Sequence, residues 1–231
     1  QLGGRMTRRT NARLAGFTFL FYIAAGISSM VLHGVATHGE GTAEKLASIA
    51  QHTLDFRISI LLGLLECFSA LILAVTLYGL TRDEDHELAM LVLACRVGEG
   101  VLGATGIPNQ VSLLRLATTG TGSQDAATTN LLGTFLLMPG PSVPVSAILF
   151  AVGSAIFSYL LLRGRMIPAA LAWLGVIASV LLVVGLPLQL AGFLTGPVTG
   201  YLWMPMLLFE VPLGLWLLIR GVTASRPLLD Q

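Results

Sequence analysis

Glu66, Arg96, Glu99 and Glu210 stand inside long apolar stretches of the sequence. On insertion scales a charged side chain at the centre of a membrane helix costs roughly 2.5–3.5 kcal/mol. Such residues face a bundle interior, find partners and mark sites. Three carboxyls here share one arginine. The simplest pair is Arg96 with Glu99, one helical turn apart. The other two acids have no obvious cation, and a buried carboxyl without one is neutral. At least one of Glu66 and Glu210 is therefore expected to hold its proton at neutral pH. A positioned neutral acid is what general acid catalysis needs. Glu210 or Glu66 would protonate an alkene or epoxide in a lipophilic, prenyl-like or terpenoid molecule. Arg96 and Glu99 would fix the acid's orientation and charge. The bland alternative is that Arg96 and Glu99 lock helices together and the other two acids bond to backbone.

Helical spacing groups further residues with the charges. Arg96, Glu99, Gly103, Gly106 and Gln110 recur at three- and four-residue steps. So do Ser59, Gly63, Glu66 and Ala70, then Tyr22, Gly26, Ser29 and His33, and Trp203, Met206, Glu210 and Gly214. From these stripes Trp203, Met206, Tyr22, Gly103, Gln110 and Asn109 are the candidate substrate-binding residues. Asn109 and Gln110 polarise the outer end of the cavity or simply end their helix. Asp55 and Arg57 are interfacial or gate the second span. The four histidines lack metal spacing, so no metal is expected; no cofactor is expected either. Cys67 and Cys95 each sit in an apolar run and read as small buried hydrophobes.

The elements that must hold these side chains are membrane helices. The 231 residues are 55% hydrophobic and 11% charged, against roughly 25% charged in a soluble domain. A formal net charge of +1 gives no sign of nucleic-acid binding. A span takes about 20 apolar residues. Six are expected: 15–32, 56–80, 88–110, 145–162, 167–190 and 201–219. The first is too long for a signal-peptide core and reads as retained. Between them lie a polar loop at 34–53 with a short surface helix at 43–51, and a charged turn, Arg82-Asp83-Glu84-Asp85, read as solvated. A polar Gly/Thr-rich loop follows at 114–130, and then an apolar half-helix at 131–138. Pro139, Pro141 and Pro144 set that half-helix off from the fourth span. Counted inward at about 1.5 Å per residue, the four buried charges share a central slab.

Lys and Arg are distributed unevenly between the two sides. Arg5, Arg8, Arg9, Arg13, Arg82, Arg163, Arg165, Arg220 and Arg226 fall on one side of a six-span chain, and Lys45, Arg57 and Arg115 on the other. That places both termini in the cytoplasm. The expected architecture is an all-α polytopic membrane bundle of six helices with an extra half-helix before the fourth span. Residues 1–14 are a cytoplasmic basic segment, 15–222 the membrane domain and 223–231 a cytoplasmic tail. The expected location is the cell membrane, multi-pass.

Glu99-Gly100-Val101-Leu102-Gly103 and Glu210-Val211-Pro212-Leu213-Gly214 share E-x-x-L-G, each on the third helix of a three-span half. This would suit an inverted repeat of the transporter kind. Longer segments carry a resemblance. Ala12-Arg13-Leu14-Ala15-Gly16, Phe56-Arg57, Arg96, the run from Tyr159 to Gly175 (YLLLRGRMIPAALAWLG) and Glu210 to Val222 (EVPLGLWLLIRGV) are similar to a family of bacterial integral membrane proteins catalogued as domain of unknown function 4386. The resemblance spans roughly 12–222 and implies six spans, with no assigned activity. A likeness of layout alone links the chain to small membrane-bound terpene cyclases, with Glu66 and Glu210 at the matching acids. Three functions are open: an intramembrane cyclase or isomerase, a proton-coupled transporter of a small solute working as a homodimer, and a non-catalytic accessory protein. The expected partners are membrane lipid and a lipophilic small molecule.

Overall fold

The computed structural model describes residues 7–119, 126–138, 142–196 and 198–222. The expectations placed on Arg5, Pro139, Pro141, Arg226 and the 223–231 tail lie outside the described residues. The chain runs through α1 (Arg8–Ala36), α2 (Thr42–Gln51), α3 (Thr53–Thr81), α4 (His86–Ala104), α5 (Ile107–Thr119), α6 (Ala126–Leu137), α7 (Ser142–Arg163), α8 (Ala169–Leu190), α9 (Val198–Tyr201) and α10 (Met204–Ile219). Six helical stretches are long and apolar enough to cross a membrane: α1, α3, α4 with α5, α7 from Pro144, α8, and α9 with α10. The expected all-α bundle is the architecture observed.

Local chemistry sets several helix ends. Thr7 caps α1 by accepting the Thr10 amide at 3.2 Å, and Asp85 caps α4 by accepting the Leu88 amide at 3.1 Å. Such caps satisfy amides that lack an intrahelical partner. The charged turn between α3 and α4 is more than solvated. Arg163 at the end of α7 pairs with Glu84 at 3.5 Å and Asp85 at 3.1 Å, tying two turns together.

The third span differs from expectation. It does not stop near Gln110. The helix breaks at Thr105–Gly106 and restarts as α5, running to Thr119. Pro108 stands in the first turn of α5, where a missing N–H costs nothing. Leu113 and Ala117 are then buried with Ala36, Leu46, Ile49 and Phe56 in a second small core under α2. Burial of these apolar residues explains helix where polarity suggested loop. The half-helix is α6, at 126–137 rather than 131–138. Its Gly133 fits against Thr42 and Leu46 of α2, and the Thr42 and Thr134 hydroxyls bond at 2.8 Å. Leu131, Phe135 and Met138 remain exposed, as suits a helix lying at a lipid surface.

The six spans close into a ring in chain order: α1 beside α3, α3 beside α4, α4 beside α7, α7 beside α8, α8 beside α10, and α10 back against α1. Phe17, Met30, Ile177 and Val184 face outward, as a lipid-exposed surface requires. The ring interior is filled by Phe19, Leu73, Leu77, Phe157, Leu182, Phe209 and Leu213. α1 and α10 approach closely at Gly16, where an added Cβ would stand 2.5 Å from the Leu218 nitrogen and 2.6 Å from the Gly214 oxygen. Small residues at such crossings let membrane helices pack backbone to backbone.

Candidate functional site

Arg96 is the centre of the site. It projects from the middle of α4 and is fully buried. Its Nη1 donates to Glu99 Oε2 at 3.0 Å, and Nη2 donates to Ser154 of α7 at 2.9 Å. Nη2 also lies 3.8 Å from Glu210 Oε1 on α10. Two aromatic rings lie against the guanidinium, the centre of Phe150 of α7 4.7 Å and that of Phe19 of α1 5.7 Å from its carbon. Desolvated cation–π contacts of this kind are worth about 2 kcal/mol. One donor, Nε, is buried without a partner among the described residues.

Glu99 is held from two further directions. The Tyr22 hydroxyl of α1 donates to its Oε1 at 2.8 Å, and Ser146 of α7 donates to its backbone oxygen at 2.9 Å. Four helices of the ring thus meet at one buried ion set. The expected Arg96–Glu99 pair forms. The expectation that Glu210 lacks a cation is corrected: Arg96 serves both Glu99 and Glu210. A planar, five-donor guanidinium can do this where an ammonium could not.

Glu66 differs from the other three. It sits on α3, half-buried, and makes no ion pair or hydrogen bond with the described residues. Helical side chains tilt toward the helix N-terminus, so its carboxyl reaches back toward the Thr53 end of α3. It comes to rest against Gly26 of α1, where an added Cβ would lie 3.0 Å from Oε1. Glu66 lies in the field of Glu99, and Tyr22 in the field of all four charged groups. The four ionisable residues therefore share one neighbourhood, split into a paired set and a lone acid.

The remaining candidates divide. Gly103 faces the Cys67 sulfur and Ser146 hydroxyl of α3 and α7. Met206 is buried in the ring core. Trp203 is exposed, and its ring packs on Phe150, 5.8 Å between centroids, the ring that lies against Arg96. Gln110 is half-buried and its Oε1 is orphaned; Asn109 is exposed and is not brought to the charges. The break at Thr105–Gly106 interrupts the stripe that grouped Gln110 with Arg96. Among the described residues no three His, Cys, Asp or Glu side chains are grouped to hold a metal.

Ser154, Phe150, Ser146 and Phe19 are neighbours of the ion set that the spacing of the charges did not reveal. The signal existed: Ser146, Phe150, Ser154 and Ser158 recur every four residues on α7, one face carrying serine in an otherwise aliphatic helix.

The family described as Domain of unknown function (DUF4386) matches residues 14–221. No curated protein and no solved structure matches.

Proposed function

Because the chain belongs to the DUF4386 family, whose description names no reaction, we propose from the site's own geometry that the protein is an intramembrane acid catalyst with Glu66 as the proton donor. The observation that carries this reading is the lone Glu66 carboxyl. It sits mid-helix beside Gly26, with no cation, while Arg96 is taken up by Glu99 and Glu210. A carboxyl in that setting is held neutral, because an unpaired charge in an apolar medium is far costlier than a proton retained.

The substrate class follows from the surroundings. Ile27 and Leu65, neighbours of Gly26 and Glu66 in the chain, are exposed on the lipid-facing surface. A lipophilic alkene or epoxide, such as a prenyl chain, would approach from the bilayer. The Glu66 O–H bond breaks and its proton adds to the double bond or epoxide oxygen. A carbocation forms, rearranges or closes, and loses a proton to the Glu66 carboxylate. No other reactant is consumed. Tyr22, Glu99, Arg96 and Glu210 act as positioning residues: they fix the polar floor beside the acid and stay in place.

The test compares lipid extracts by mass spectrometry from cells expressing the wild type, Glu66→Gln and an empty vector. A lipid converted only when the wild type is present, and not with a folded Glu66→Gln protein, supports the proposal. Identical extracts in all three would sink it. A second reading is favoured by one observation, that three of the four charges are paired with each other. In that reading the ion set only ties α1, α4, α7 and α10 together, and Glu66→Gln changes no lipid.

A further inference from the structure

Glu66 recovers its proton in each turnover, but it must first take that proton from water, and the path that supplies it also lets it exchange. Orphaned polar atoms lie between Glu66 and the Ala36 side of the ring. His33, in the last turn of α1, has a buried Nδ1 with no partner, and Gln110, in the first turn of α5, has a buried Oε1 with none. Buried polar atoms left without protein partners in native structures are commonly served by water. Their helices, α1 and α5, both pack on α3. His33 packs on Phe56 of α3, 5.3 Å between ring centres. One turn deeper Ser29 donates to the Ser59 carbonyl oxygen at 3.0 Å. At that level Gly63 leaves space between Ser29 and Ile107, its absent Cβ lying 3.9 and 3.6 Å from them. Gln110 is one turn beyond Ile107 on α5. One turn below Ser29 is Gly26, against which the Glu66 carboxyl rests.

We propose that Glu66 exchanges its proton with the aqueous phase on the Ala36 side through a water-bearing passage between α1, α3 and α5, with His33 and Gln110 at its mouth. From His33 to Gly26 the passage runs about 10 Å along α1, at roughly 1.5 Å per residue, a span that a short file of waters bridges. Ser29 lines it, and Gly63 leaves it the room of a methyl group beside Ser29 and Ile107. The tilt of Glu66 toward the Thr53 end of α3 aims the carboxyl up this passage and away from the Thr7 side. Histidine suits the mouth, because one ring nitrogen can donate a hydrogen bond while the other accepts one. The passage rests on the assignment of Glu66 as the acid and supplies the route by which that acid is loaded.

The test is infrared spectroscopy of the full chain in lipid bilayers during rapid mixing with heavy water. A protonated carboxyl gives a carbonyl band that shifts when its hydrogen is replaced by deuterium, and its absence in Glu66→Gln assigns it. In His33→Leu with Gln110→Leu the exchange of that band is expected to slow by at least about tenfold, one unit on the logarithmic rate scale. His33→Gln, which keeps a polar group at the mouth, restores most of the rate. Arg82→Ala, on the far side, leaves it unchanged. Exchange at the wild-type rate in the double variant, or in both single leucine variants if the double variant does not fold, overturns the passage and leaves the acid intact. If no carboxylic-acid band belongs to Glu66, the acid assignment fails and the passage with it.

Discussion

At the residue scale the decisive contrast is between Arg96 and Glu66. Arg96 is buried with two carboxylates, a serine and two aromatic rings on it. Removing it leaves Glu99 and Glu210 without a counter-charge. Breaking a buried ion pair from one side costs about 3–5 kcal/mol, so Arg96→Met is expected to lower the unfolding temperature in detergent sharply. Tyr22→Phe removes one hydrogen bond to Glu99, and such bonds to charged groups contribute about 1.5–3 kcal/mol. Its unfolding temperature should fall between those of wild type and Arg96→Met. Glu66→Gln breaks no pair and should stay within about 1 kcal/mol of wild type. Equal losses in all three variants would contradict the division into a paired set and a lone acid. The Arg96–Glu99 pair was legible in the sequence because both partners lie on one helix, one turn apart. The Glu210 contact was not, because nothing in the spacing of α10 states that it stands across the ring from α4.

At the element scale the ends of the helices were harder to read than their existence. Each of the six spans was recognisable from its apolar run, because lipid demands that backbone polar groups be paired within the helix. The continuation of α5 to Thr119 was hidden, because its sequence is polar and Gly/Thr-rich sequence follows it. Its helical form depends on Leu113 and Ala117 finding α2. The closeness of α1 to α10 was equally hidden, although Gly16 and Gly214 are both plain in the sequence. Gly16→Leu would force the two backbones apart, since even its Cβ would meet the Leu218 nitrogen at 2.5 Å. Overpacking of this kind costs about 1–3 kcal/mol, occasionally more. The variant is expected to unfold at lower temperature and to expose Arg96 to proteolysis or solvent exchange. An unchanged unfolding temperature would mean that α1 and α10 do not cross at Gly16.

At the scale of the whole molecule, the ring gives each half of the chain a matched part in the centre. The first three spans supply Phe19 and Glu99 around Arg96, and the last three supply Phe150 and Glu210. The two E-x-x-L-G acids thus meet on one guanidinium. From the Lys and Arg bias we predict that the Thr7 side faces the cytoplasm. In a background with Cys67 and Cys95 replaced by alanine, Lys45→Cys is expected to react with an impermeant maleimide added outside intact cells. Arg82→Cys should react only after the membrane is opened. The reverse pattern would place the Thr7 side outside.

The Arg96–Glu99 contact also bears on biosynthesis. Chains emerge N-terminal end first, so α4 enters the bilayer before α10 exists. At that moment Glu210 is unavailable, and an isolated arginine in α4 would oppose partition into lipid. Because its first carboxylate is three residues away on the same helix, the segment carries its own neutralising charge into the membrane. The third span can therefore integrate as an electrically balanced unit, and Glu210 arrives later to complete an assembly that is already tolerable to the translocation machinery and to lipid.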